Sequence, residues 1–86
     1  MMTPEEFTAT RKAIGLTQIE LAARLGVTSR AVQDLEAGAS RLKALHVAAL
    51  ERIALTVALE RENPMLAPLT IRREAAQITR LLVGEG

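Results

Sequence analysis

The sequence predicts one small all-α domain, and three observations carry that expectation. Of its 86 residues, 15 are Ala and 13 are Leu against 5 Val and 5 Ile, and the first two favour helices where the second two favour strands. Glycines at positions 15, 26 and 38 divide the first half into short pieces, each preceded by helical apolar spacing, as expected where a left-handed glycine ends a helix. From Arg41 to Asn63 there is no Gly or Pro, which allows one long helix.

Each element has its own signals. Thr3, Pro4 and Glu6 supply an N-cap, a proline at the first helical position and a capping box, so the first helix runs from about Pro4 to Ile14. Thr17 and Glu20 repeat the box, giving a second helix from about Gln18 to Leu25. Thr28 caps a third, from about Ser29 to Ala37, with no reciprocal partner because Ala31 stands at the third position. These helices are too short to persist alone and must pack on one another. Phe7, Ile14, Leu16, Leu21, Ala22, Leu25, Val27, Val32 and Leu35 fall at spacings that give each an inward face. The turn between the second and third is only Gly26-Val27-Thr28, the short link of a helix-turn-helix.

The fourth helix is expected from Arg41 to Asn63 with Ser40 as its cap. Its apolar residues, Leu42, Leu45, Ala49, Leu50, Ile53, Ala54, Val57 and Ala58, cover more circumference than one contact uses. Asn63-Pro64 ends it, and Pro68 keeps the following connector extended. Thr70 is expected to cap a last helix ending near Val83, whose Ile71, Ala75, Ile78 and Leu82 repeat at four, three and four, a narrow seam suited to another helix. The chain thus divides into residues 1–63, a helix-turn-helix unit with a long fourth helix, and residues 64–86, a connector and C-terminal helix.

Composition narrows the function. With Phe7 the only aromatic and no Cys, base stacking, disulfides, thiolate metal sites and a cysteine nucleophile are all disfavoured. A lone His46 leaves little for catalysis or metal binding, so an enzyme is the weakest expectation and neither cofactor nor metal is expected. The acidic N-terminus lacks a signal-peptide pattern, and no apolar run reaches a membrane span, so the default expectation is a cytoplasmic protein. A net charge of +1 is low for a nucleic-acid binder, so any such function must come from local placement.

From Gln18 to Ala37 the chain resembles the helix-turn-helix of the Xre/lambda-repressor-like regulators of bacteria and phages, and the likeness extends over roughly the first 60 residues. It rests on Leu16-Thr17-Gln18, Glu20-Leu21-Ala22, Gly26, Val32 and Leu35-Glu36-Ala37-Gly38. Ala22 stands where the two helices cross closely, Gly26 where the turn needs positive φ, and Val32 where the third helix packs back on the second. Many members carry Trp or Tyr in place of Leu35, and many have a separate fifth helix where this chain continues its fourth. The resemblance implies a lambda-repressor-like domain of four helices, here followed by a C-terminal helix.

The candidate site follows from both sources. The outward side of the third helix offers Ser29, Arg30, Gln33 and Asp34. Arg can bond guanine O6 and N7, Gln can bond adenine N6 and N7, and Asp can accept from cytosine N4. The family's base contacts fall on Ser29, Arg30 and Gln33, with Asp34 the weakest of the four. Without DNA, an Arg30–Asp34 pair on a solvated helix explains the same residues at about 0.3–0.5 kcal/mol. Thr17 and Gln18 open the second helix, where free N–H groups and the helix dipole favour phosphate, and the resemblance implies that Gln18 clamps one. Thr28, Ser40, Arg41 and Lys43 extend this phosphate-binding set. From Arg11 to Lys43 there are six basic residues against three acidic, a local charge of +3. The resemblance also implies a structural pair between Arg11 and Glu36.

The leading expectation is a sequence-specific regulator of double-stranded DNA, a repressor acting as a homodimer on an inverted repeat. Its competitor is an antitoxin that binds its own promoter and a toxin protein. A protein-interaction adaptor without DNA binding is a third, against which Arg30 and Gln33 argue. The last helix either pairs with a second copy or folds back on its own fourth helix.

Overall fold

The computed structural model describes residues 2–84; Met1, Glu85 and Gly86, the outer ends of the two expected units, lie outside the described residues. The chain forms α1 (Pro4–Ala13), α2 (Gln18–Leu25), α3 (Ser29–Ala37), α4 (Ala44–Glu60) and α5 (Leu69–Val83), with a single 3-10 turn at Pro64–Leu66. It is all-helical among the described residues. Both expected capping boxes form: Thr3 with Glu6 and Thr17 with Glu20 each exchange two hydrogen bonds of 2.9–3.1 Å.

One core joins α1 to α4. Phe7, Ile14, Leu16, Leu21, Ala22, Val32, Leu35, Leu50, Ala54 and Val57 are its buried residues, with Leu25, Leu42 and Ile53 partly buried against it. Val27 departs from the expected inward set and is 46% exposed, because it sits in the turn itself, beyond the end of α2. Leu45 is exposed as well, on the side of α4 turned from the core.

The last two helices begin elsewhere than expected. Ser40 does not cap α4: Gly38 to Leu42 runs as an irregular segment, Lys43 is the N-cap, and its N–H donates to His46 Nδ1 at 2.9 Å. Ser40 is drawn instead to α3, its N–H donating to the Asp34 carbonyl at 3.1 Å. α4 then continues unbroken to Glu60. Thr70 is not a cap either, since α5 starts at Leu69 with Pro68 as its N-cap. Its first turn is fastened by Arg72, whose Nε donates to the Ala67 carbonyl at 3.1 Å.

α5 does not fold back along α4. Only its N-terminal half meets α4, none of its residues is buried, and residues 76–84 are exposed throughout. The molecule is accordingly elongated, 46 × 25 × 19 Å.

Candidate nucleic-acid interface

A short turn sets the position of α3. Gly26 takes φ +75°, a conformation that favours glycine, and the N–H groups of Gly26 and Val27 both donate to the Ala22 carbonyl, at 2.9 and 3.1 Å. Thr28 then opens α3 by accepting the Ala31 N–H at 3.1 Å. With Val32 and Leu35 buried against the core, the opposite side of α3 must face outward. Ser29, Arg30, Gln33 and Asp34 lie together on it, Arg30 and Gln33 exposed, Ser29 and Asp34 half-buried. The Arg30 side chain is 81% exposed, and its Nε donates to Asp34 Oδ1 at 3.1 Å. Asp34 thereby orients Arg30 while both of its terminal nitrogens stay open to another acceptor.

At the start of α2 the donors differ from expectation. The Thr17 N–H is taken by the Glu20 carboxylate at 2.9 Å, so it is closed to an anion. Gln18 and Ile19 keep the open N–H groups of that turn. The Gln18 side chain is also engaged, Nε2 donating to Glu36 Oε1 at 2.9 Å.

Glu36 is the hub beneath this surface. Arg11 reaches it through Nε at 2.6 Å and Nη2 at 3.0 Å, and spends Nη1 on the Leu16 carbonyl at 2.9 Å. The two side chains are only 9% and 7% exposed. Burial pushes the Glu36 carboxyl up, but hydrogen bonds from Arg11 and Gln18 and the Arg11 charge outweigh it and hold the group below its ordinary value. One carboxylate therefore ties α1, the start of α2 and the end of α3 together.

Beyond α3, Ser40 and Arg41 are exposed on the irregular segment, and Lys43 is exposed at the N-cap of α4. They edge a groove of about 520 Å³ whose floor includes Val27, Ala31, Leu35 and Leu45.

Three contacts have no forerunner in the sequence analysis. Arg61 donates through Nη1 to the Ile14 carbonyl at 3.0 Å, giving the end of α1 a cationic partner. Arg24 pairs with Glu60 at 2.7 Å, 36 positions away, a separation no local pattern encodes. His46 caps α4 from the third position, where Glu or Gln usually signals a box, and it becomes recognisable only once the helix start is placed at Ala44.

A helix-turn-helix family model matches residues 9–53, just over half of the chain, from the middle of α1 into α4. The chain belongs to the Xre/lambda-repressor-like helix-turn-helix family. As a member it is a DNA-binding transcription regulator in general terms, and α3 stands in the position of the family's recognition helix. Residues 54–60 of α4 and all of α5 lie outside the match. No curated protein and no solved structure matches the chain. Among the described residues no helix is long and apolar enough to cross a membrane.

Proposed function

We propose that this chain is a repressor that occupies promoter DNA in the cytoplasm, binding an inverted-repeat operator as a homodimer. The observation that supports it most is the outward side of α3, where Arg30 and Gln33 stand exposed on a helix held by a three-residue turn. In this reading Ser29, Arg30 and Gln33 meet base edges in the major groove, and Asp34 steers Arg30 or accepts from cytosine. Phosphates are held by the Gln18 and Ile19 N–H groups, by the hydroxyls of Thr17, Thr28 and Ser40, and by Arg41 and Lys43. Gln18 acts as a clamp that Glu36 positions, since its amide still has one N–H free.

One recognition helix reads too few base pairs to find a site in a genome, so two copies are needed. Two-fold pairing spaces the recognition helices about one DNA turn, ~34 Å, apart. Residues 1–63 form the DNA-binding unit and residues 64–86 the pairing extension.

Selection of bound sequences from random duplex DNA, followed by a salt titration on the winner, tests the proposal. The expected product is an inverted repeat with half-sites about one turn apart, bound more weakly as salt rises. Failure to enrich any such repeat at low salt would refute it.

The uncovered apolar residues of α5, outside the family match, favour a second reading, an antitoxin whose tail binds a toxin protein. A small toxin encoded beside this gene that co-elutes with the chain would select it over the first.

A further inference from the structure

Two of the side chains on the outward side of α3 are bonded to each other, and the way they are bonded limits what the pair can read. Val32 and Leu35 point to the core, so the helix period puts Arg30 near the centre of the opposite side with Gln33 and Asp34 flanking it. Asp34 Oδ1 accepts from Arg30 Nε, and Arg30 has no other side-chain partner among the described residues. The members are unequally placed. The Arg30 side chain is 81% exposed and that of Asp34 only 32%, so the short carboxylate lies low against the helix and the long guanidinium reaches past it.

A guanidinium can present two N–H donors side by side along either of two edges, one that includes Nε and one formed by Nη1 and Nη2. The bond to Asp34 occupies the first at Nε and leaves the second free. Two parallel donors need two neighbouring acceptors, and guanine, with O6 and N7, is the base that presents them in the major groove. Adenine sets an amino group beside its N7, thymine a methyl group beside its O4, and cytosine an amino group alone. An Arg free to turn can instead give either edge to a phosphate, which carries no sequence information.

We infer that Asp34 is a positioning residue that makes Arg30 a reader of guanine, fixing one guanine in each half-site, and that Asp34 itself touches no base. The inference rests on the DNA-reading proposal above and assigns Asp34 the first of its two roles there. Charge gives the device its discrimination. A carboxylate on the DNA-facing side repels phosphates and base acceptors alike, so it lowers affinity for every sequence, and only a base that takes both Arg30 donors makes up the loss.

The test is a set of dissociation constants for the wild type, Arg30→Ala, Asp34→Ala, Asp34→Asn and the Arg30→Ala/Asp34→Ala double variant on the selected site and its single-base substitutions. Thermal melts of all variants should lie close together, because the pair is an exposed i,i+4 one and the Asp34 carbonyl that receives the Ala39 and Ser40 N–H groups is kept by any residue. The wild type should prefer guanine at one position of each half-site by roughly 10- to 100-fold. In Asp34→Ala that preference should fall to about 3-fold or less, through tighter binding of the other three bases rather than weaker binding of guanine. Asp34→Asn keeps an acceptor for Nε without the charge, and should retain part of the preference while binding all sequences more tightly. Once Arg30 is Ala, Asp34→Ala should change no base preference. A guanine preference that survives Asp34→Ala overturns the inference. So does a preference for cytosine at a second position that Asp34→Ala removes even in the Arg30→Ala background, since Asp34 is then itself a reader. An Arg30→Ala variant with every base preference intact overturns it too and leaves the regulator reading to the other contacts, whereas failure to select any site overturns the regulator reading itself.

Discussion

Glu36→Ala removes a carboxylate that three side-chain hydrogen bonds share, two from Arg11 and one from Gln18. Breaking a buried ion pair from one side costs about 3–5 kcal/mol, chiefly because the surviving charge is left without a partner. Arg11 keeps its bond to the Leu16 carbonyl, which compensates it in part, so the expected cost is at the lower end, about 3 kcal/mol. For a domain of this size that is a large share of a total of roughly 5–10 kcal/mol, and it corresponds to a fall in Tm of about 12–24 °C. Urea unfolding followed by circular dichroism reads the loss, and a cycle with Arg11→Met isolates the pair from the two separate truncations. The pH dependence has a definite sign. Glu36 is held below its ordinary value of 4.5 in the folded chain, so the unfolded state takes up its proton first as pH falls. The stabilisation is complete above 4.5 and disappears as pH drops through the lower folded value. The penalty of Glu36→Ala should therefore shrink on acidification from neutral pH to below 4.5. A cost under about 1 kcal/mol at neutral pH, or one that acid leaves unchanged, would refute the assignment of Glu36 as the tie between α1, α2 and α3.

Other perturbations separate the proposed contacts. Arg30→Ala should cost about 1–3 kcal/mol of operator binding and relax preference at one position of each half-site, whereas Lys43→Ala should weaken all sequences alike and lower the salt slope by about 1; parallel binding curves on the selected site and on single-base variants distinguish them. Gly15→Ala should destabilise by about 1–3 kcal/mol in thermal melts, because φ is +77° there and the added methyl meets the Arg61 guanidinium that caps α1. In Arg61→Ala the same change should cost less, since only the backbone strain remains.

The sequence was most readable where local chemistry sets the structure. Thr3, Thr17 and Thr28 each announce a helix start because a short hydroxyl side chain satisfies an orphan N–H of the turn that follows, and the interval from Gly26 to Thr28 fixes α3 against α2. The start of α4 differs from the expectation because two residues compete for the role. Ser40 has the better capping side chain, but Asp34 at the end of α3 takes its N–H, and the helix waits until His46 can serve Lys43. The candidate site divides along the same line. That Ser29, Arg30, Gln33 and Asp34 share one side of a helix follows from a period of 3.6 residues. That Gln18 bonds Glu36 depends on how α2 and α3 pack, and that Arg24 meets Glu60 and Arg61 reaches Ile14 depends on the packing of α4 across the other helices; no local pattern carries either.

Tertiary packing also explains how a chain of net charge +1 can belong to a DNA-binding family. Several of its acids are already engaged. Glu36 faces Arg11 and Gln18, Glu60 faces Arg24, Asp34 faces Arg30, and Glu6 and Glu20 accept the backbone N–H groups of Thr3 and Thr17. For Glu6 and Glu20 these backbone bonds, and for Glu60 the bond from Arg24, hold the carboxyl below its ordinary value, so each remains ionised while its charge is already matched. Lys12, Arg41 and Lys43 have no ion-pair partner among the described residues, and the last two stand exposed just past α3. Between residues 11 and 43 every acid is thus matched while Lys12, Arg41 and Lys43 are not, and the unmatched cations are the ones that bear on a polyanion. Each phosphate they neutralise adds about −0.9 to the salt slope, so affinity should depend on salt through a handful of cations rather than through the bulk charge of the domain.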